Sequence, residues 1–193
     1  FEQKNEINTI NRAFEHGEDL KYRISYGKKN KKKAGIVLAG HAQLTVKTKF
    51  INDQQYYDFT AQGKTNRFFS LFMNVNHYYH SIVNMKNMNA REHEMIIKEG
   101  KYTEEEHILF NADTFQSDSN ISDILTTSYK LRATRPDTFS QNDTIFFDYY
   151  YNGNVYRSHM IHLGEEIINT KFGNIKTIKL SPWLEKGRVF KSN

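Results

Sequence analysis

The chain of 193 residues contains no cysteine. That excludes disulfides, thiolate metal ligands and a cysteine nucleophile. It leaves the compartment open, because a cysteine-free chain is compatible with an oxidising space. No stretch approaches the roughly 18–20 consecutive apolar residues of a membrane-spanning helix, so no transmembrane segment is expected. The G-x-S-x-G signature of a serine nucleophile is missing. So are H-x-H, H-E-x-x-H and the two-histidine, one-carboxylate spacing of metal sites. Gly63-Lys64-Thr65 matches the end of a phosphate-binding loop, but the glycine-rich turn before it and the parallel-strand context are lacking. It reads as a strand-to-helix corner with Thr65 as the cap. Strands and helices do not alternate in βαβ fashion, which argues against a parallel sheet. Internal repeats and low-complexity segments are also missing.

What is present is aromatic: 14 Phe, 12 Tyr and a single Trp. Charged residues make up 25% and apolar ones 38%, which is neither a disordered nor a membrane composition. The length suits one hydrophobic core and one domain over residues 1–193. Lys plus Arg number 27 against 22 Asp plus Glu, a formal charge of +5. The excess sits in Lys28-Lys29-Asn30-Lys31-Lys32-Lys33. One such run between two strand-like segments reads as a solvated loop. A nucleic-acid footprint would spread over a whole face, so no nucleic-acid partner is expected. The first residue is Phe1, which implies a processed or trimmed chain and allows a removed export signal.

Along the chain the hydrophobic period is mostly two. Leu20, Tyr22, Ile24 and Tyr26 alternate with polar residues, as do Ile36 to Phe50 and, after the Asn52-Asp53 turn, Tyr57 to Ala61. Phe68, Phe69 and Phe72 fall at helical spacing and predict a short helix over 66–73 laid on the sheet. Strands follow near 76–83, 92–98 and 102–111. A second helix is predicted over Ile121 to Arg132, capped by Asn120, with Ile121, Ile124, Leu125, Ser128 and Arg132 on one face. Arg135-Pro136-Asp137 ends it. Ile145 to Tyr151 and Val155 to Leu163 flank Asn152-Gly153, a strong hairpin signal. Turns are expected at Gly164 to Glu166 and Phe172 to Asn174, with a last strand beginning at Val189-Phe190. The fold class is therefore mainly β: a curved antiparallel meander forming an open or half barrel, with one or two short helices packed on it.

Eight histidines invite a metal reading, but His77/His80 and His159/His162 are each three apart. In a strand such residues point to opposite faces, so no metal is assigned. Glu104-Glu105-Glu106 and Glu165-Glu166 lie beside turns and read as solvated faces. No catalytic residue and no cofactor is assigned. Gly40 and Ala42 in the long second strand suggest a bend or a close approach to that face. The aromatic segments Phe68 to Phe72, Tyr78-Tyr79 and Tyr149 to Tyr151 offer rings for stacking. Arg67 and Arg132 lie on or near helices that cover the sheet, where an arginine snorkels out or pairs with an acid such as Asp123 or Asp148. Gly40, Arg67, Arg132, Tyr149 and Tyr151 form the candidate ligand-binding set.

Several ordered segments together carry a resemblance. They are 13–22 (Ala-Phe-Glu-His-Gly-Glu-Asp-Leu-Lys-Tyr), Gly63-Lys64-Thr65 with Phe68-Phe69-Ser70, Glu99-Gly100-Lys101-Tyr102, Asp123-Ile124-Leu125 with Tyr129-Lys130-Leu131-Arg132, and Gly187-Arg188-Val189-Phe190-Lys191. In this combination the chain resembles the DUF3108 family, exported bacterial proteins of unknown function, in a Bacteroides-like form. His16 stands where the family commonly has proline. The resemblance implies a periplasmic or outer-membrane-associated protein with an open-barrel-like antiparallel sheet. Family chains usually continue past Gly187–Lys191 with one or more strands, so the resemblance implies either a sequence cut short or a truncated member, and it carries no catalytic residues. The leading expectation is a non-catalytic envelope protein holding a lipid, an amphipathic molecule or a polysaccharide in the concave face. The alternative is a structural protein that docks an envelope partner, by edge addition for example. A glycan or lipid hydrolase is the third reading.

Overall fold

A computed structural model describes residues 11–26, 37–111, 121–134 and 139–183. The lysine run, Asn120, Arg135-Pro136-Asp137 and Val189-Phe190 lie outside the described residues. The protein is mainly β, with ten strands, one α-helix and one 3₁₀ turn among the described residues. Two compact units contain them: residues 12–119 in one, and 120–193 with Asn11 in the other.

In the first unit six strands form an antiparallel meander in chain order: β1 (Asp19–Tyr26), β2 (Val37–Ile51), β3 (Gln54–Thr65), β4 (Val75–Asn84), β5 (Ala90–Glu99) and β6 (Tyr102–Leu109). Asn52 and Asp53, at φ 49° and 61°, make the two-residue turn between β2 and β3. Positive φ at both positions matches the right-handed twist of the strands. The turn fixes register, so Val46, Phe59, Ser81 and His93 lie opposite one another across four strands. All four are buried. Phe14, just ahead of β1, packs edge-on against Tyr57 at 5.2 Å and Phe59 at 5.4 Å. The His16 ring nitrogen accepts the Thr48 amide at 3.0 Å, a bond that a proline at this position could not accept.

Gly40 is a point of close approach, but to the protein's own backbone. It pairs with Ile24 on one side and Thr65 on the other. A Cβ here would lie well inside van der Waals contact distance of the Lys64 carbonyl oxygen. β1 shifts register at Ile24/Ser25, directly beside it.

The helix expected over 66–73 is a single 3₁₀ turn, Phe69–Leu71, with no buried residue. The Asn66 side chain caps it, accepting the Phe69 amide at 2.9 Å. Thr65 does not cap. Its hydroxyl accepts the Val75 amide at 3.1 Å, which joins the ends of β3 and β4. The connection is nine residues long, 66–74, and Phe68 and Phe72 are exposed while Phe69 is half-buried.

In the second unit the sheet order is β10-β9-β8-β7, built from β7 (Ser122–Asp123), β8 (Thr144–Tyr151), β9 (Asn154–Thr170) and β10 (Gly173–Trp183). β7 runs parallel to β8; the other pairs are antiparallel. Neither sheet closes on itself among the described residues, in keeping with an open or half barrel. The α-helix α1 (Ile124–Ala133) packs on β7 and β8. Its cap is Asp123, whose carboxylate accepts the Thr126 amide at 2.8 Å and the Thr126 hydroxyl at 2.6 Å. The helix therefore begins three residues after the predicted start, and its buried face is Leu125, Thr126, Tyr129 and Ala133. Ser128, expected on that face, is exposed.

Gly164 to Glu166 is not a turn. β9 runs through it for 17 residues, and Gly164, at φ 103°, marks a bulge where the pairing with β10 shifts.

Gly40→Ala should lower unfolding free energy by about 1–3 kcal/mol, the cost of forcing a methyl against a fixed strand. Gly63→Ala, where a Cβ meets nothing within 4 Å, should be neutral or stabilising by up to about 1 kcal/mol. Urea titrations of the two variants against the parent check this. Equal effects would refute the close approach.

Candidate functional site

Three arrangements of side chains have chemical content. The first lies on the outward face of the second sheet. With Asn152-Gly153 as a two-residue turn at φ 46° and 76°, Phe146 falls opposite His159, and Asp148 opposite Arg157. The β10 pairing puts Trp183 opposite His159 on the other side. The result is a continuous row. His159 stacks on Trp183 at 5.3 Å and 13°, and Phe146 lies 5.6 Å from His159. The Arg157 guanidinium sits 5.7 Å from the Phe146 ring centre. Phe146 and Trp183 remain 58% and 50% exposed. An open concavity of about 370 Å³ follows the row, lined by Phe146, Val155, Tyr156, Arg157, His159 and Trp183. The buried Ser158 hydroxyl donates to the Trp183 carbonyl and ties the end of β10 down.

The second is a polar network on one face of the first sheet. His80 Nε2 meets Asp58 Oδ1 at 2.9 Å, and its Nδ1 lies 3.9 Å from Glu94. Lys49 reaches Asp58 at 3.3 Å. Tyr78 stacks on His80 at 6.4 Å. Burial, then the charges of Glu94 and Asp58, push the Tyr78 hydroxyl up from its ordinary pKa. An acid–histidine pair is the beginning of a general base. Its other neighbours are a second acid and a lysine, and it lines neither concavity described here. His77, on the opposite face, is 2.9 Å from Glu99. Among the described residues no three His, Asp or Glu side chains are grouped to hold a metal ion.

The third is buried under α1. Lys130 Nζ donates to Ser122 Oγ at 2.7 Å. Burial lowers the Lys130 pKa from 10.5 to about 8, against a smaller opposing pull from Asp123. A lysine of depressed pKa on a serine is the pattern of a Ser–Lys nucleophile. Ser122 is 1% exposed, so no substrate reaches its oxygen, and the pair instead fastens the helix to β7.

The sequence-predicted set falls in both units. Gly40 and Arg67 belong to the first, with Arg67 exposed beside the 3₁₀ turn. Tyr149, Tyr151 and Arg132 belong to the second. Tyr149 is 2% exposed and stacks on Tyr156 at 5.6 Å. Tyr151 is half-buried at the end of β8, on the same face as Tyr149. Arg132 lies over the Tyr129 ring at 5.0 Å. Phe146, His159 and Trp183 were not in the predicted set. Counting outward from Asn152-Gly153 pairs Phe146 with His159. Trp183 joins them only through the bulge at Gly164, whose glycine reads as a turn as readily as a bulge.

Residues 21–193 match a family described as "Protein of unknown function (DUF3108)". The chain belongs to this family. The match covers β2 to β10 and the helix in full, and β1 from Lys21 onward. No curated protein matches the chain, and no solved structure does. The DUF3108 assignment brings no residue roles with it, so the site rests on geometry alone.

The Lys130 pKa makes stability depend on pH. The unfolded chain holds this proton to about pH 10.4, whereas the folded state releases it near 8. Between those values the unfolded state binds more protons, so stability rises with pH, by about 3 kcal/mol over the full window. Below about 8 the cost of the buried charge is constant. Urea melts from pH 7 to 10.5 should show this rise, and Lys130→Met should flatten it. An unchanged slope in the variant would assign the effect to another group.

Proposed function

We propose that the protein is an exported envelope protein that binds a polysaccharide without transforming it. The carrying observation is the row Phe146–His159–Trp183, three flat side chains held on one exposed sheet face with Arg157 and Asp148 beside them. Sugar rings present a face of C–H bonds that packs on aromatic rings, and equatorial hydroxyls that hydrogen-bond to flanking polar groups. Aromatic contacts supply apolar area at low entropic cost, because the rings have few rotatable bonds. A row of this kind suits successive residues of a chain better than one enclosed monomer. A lipid tail is better served by an enclosed apolar cavity, and this concavity is open to solvent.

In this reading Tyr149, stacked on Tyr156, supports the platform from its other face and does not touch the ligand. Periplasmic or outer-membrane location belongs to the proposal and follows from the kind of ligand, which is met outside the cytoplasm.

Trp183 is the chain's single tryptophan, so intrinsic fluorescence reports on the row directly. Titration with soluble neutral glucan, mannan and polyuronate should shift or quench its emission with at least one of them. The same polymer cast in a native gel should retard the protein. Phe146→Ala should weaken binding about 10-fold, from the loss of about 1.5 kcal/mol of ring contact. Unchanged emission and mobility with every polymer would remove the basis for this function.

A further inference from the structure

The corner between β3 and β4 presents apolar side chains where a connection between strands ordinarily presents polar ones. Phe68, Leu71, Phe72 and Met73 are 61%, 79%, 76% and 61% exposed. The three rings form one cluster, Phe68 packing edge-on against Phe69 at 5.9 Å and Phe72 at 5.6 Å. Exposed apolar surface gathered in this way marks an interaction site rather than ordinary surface scatter. The base of the knob is fixed. The Asn66 amide donates to Ala39 O at 2.9 Å, and the Asn66 side chain bonds both Leu38 O and the Phe69 amide. The Ser70 hydroxyl within the knob is turned back onto Arg67 O at 2.9 Å. The tip is therefore preformed and apolar, and its own hydroxyl is satisfied.

Cations stand directly beside it. Lys64 is opposite His41, and His41 is opposite Arg23, so three basic side chains cross β3, β2 and β1 in one row. With Lys21, Gln43 and Gln62 they line an open concavity of about 250 Å³. Asp19 is engaged by Gln43 at 2.7 Å and Lys21 at 3.0 Å, contacts that hold its carboxyl below the usual range. Among the described residues no carboxylate pairs with Arg23, Lys64 or Arg67. On the same face, further along the sheet, Asp58 is occupied by Lys49 and His80, and Glu92 by His107.

We propose that this corner docks on an anionic lipid bilayer. The Phe68–Met73 knob enters the interfacial region while Arg23, Lys64 and Arg67 face the headgroup phosphates. Apolar insertion and cation–headgroup attraction are the two terms that hold peripheral proteins on membranes, and each is weak alone. The knob carries leucine, methionine and phenylalanine side chains, which a fluid surface accommodates without a matching pocket. The flanking positive charge selects a surface of negative potential. The site lies in the first unit and does not depend on the saccharide row of the second.

Sedimentation with large unilamellar vesicles tests this. The protein should partition onto mixed phosphatidylcholine–phosphatidylglycerol vesicles and much less onto phosphatidylcholine alone. Leu71→Ser with Phe72→Ser should abolish partitioning while leaving the thermal transition unchanged, since both side chains are exposed. Lys64→Gln with Arg67→Gln should reduce it about 25-fold, about 5-fold per cation at the surface, and added salt should do the same. As a second readout, Phe72→Trp in a Trp183→Phe background should shift its emission to the blue only with the anionic vesicles. Trp183→Ala should leave partitioning intact, which separates failure here from failure of the saccharide reading. Absence of binding to both vesicles with no blue shift overturns the proposal. So does partitioning that survives both double substitutions, or a knob that is protected only by a protein partner.

Discussion

A hydrogen-bonded strand commits each of its side chains to one of two faces, and in this protein a few backbone positions make that commitment. Gly164 is the most consequential. Gly164 pairs with Lys179, yet His162 pairs with Leu180, so Leu163 has no cross-strand partner. Continued without the bulge, the pairing would set Trp183 opposite Met160, on the face that carries Tyr149 and Ser158. A slip of one residue exchanges the faces of everything beyond it. The bulge is clamped by the neighbouring segment: Asn142 donates to His162 O at 2.7 Å, His162 donates to Asp143 O at 2.9 Å, and the Gln141 side chain reaches Leu163 O at 3.3 Å. The aromatic row thus depends on a backbone irregularity that three contacts hold in place.

The first sheet divides its charge in a comparable way. On one face the polar residues run from a basic side at β1 and β2 to an acidic one at β5 and β6, where Glu92, Glu94 and Glu105 stand with His80 and His107 among them. Single surface pairs of this kind contribute little to stability. Their effect is to decide where uncompensated charge is left, and that is at the corner beside the apolar turn. Apolar and basic groups therefore meet where β3 gives way to β4.

Much of this was legible in the residues themselves. Period-two alternation located nearly every strand, and Asn52-Asp53 and Asn152-Gly153 located two hairpins, because positive φ at both turn positions favours such residues. The misses have specific physical causes. Phe68, Phe69 and Phe72 mimic a buried helical stripe, but the segment forms a single 3₁₀ turn with no buried residue. Asn120 and Asp123 both satisfy the composition of a cap, and only the bonds to Thr126 distinguish them. Gly164 beside two glutamates reads as a turn, whereas a glycine at positive φ serves a bulge equally well. The candidate site was least legible, since Phe146, His159 and Trp183 are far apart in sequence and are joined only by register.

Among the described residues, β6 is an outer strand of the first sheet, and it carries Glu104, Glu105 and Glu106 in succession. Alternation sends Glu104 and Glu106 to one side and Glu105 to the other, so carboxylates stand on both surfaces of the rim. The β1 rim bears Lys21 and Arg23. Any added strand that tried to extend the meander beyond β6 would bring its side chains against fixed negative charge above and below. Two copies meeting rim to rim at β6 would repel from either side. A cysteine-free sheet with long, partly apolar strands is in this way guarded against growing into stacked aggregates, and the guard is written in three consecutive residues.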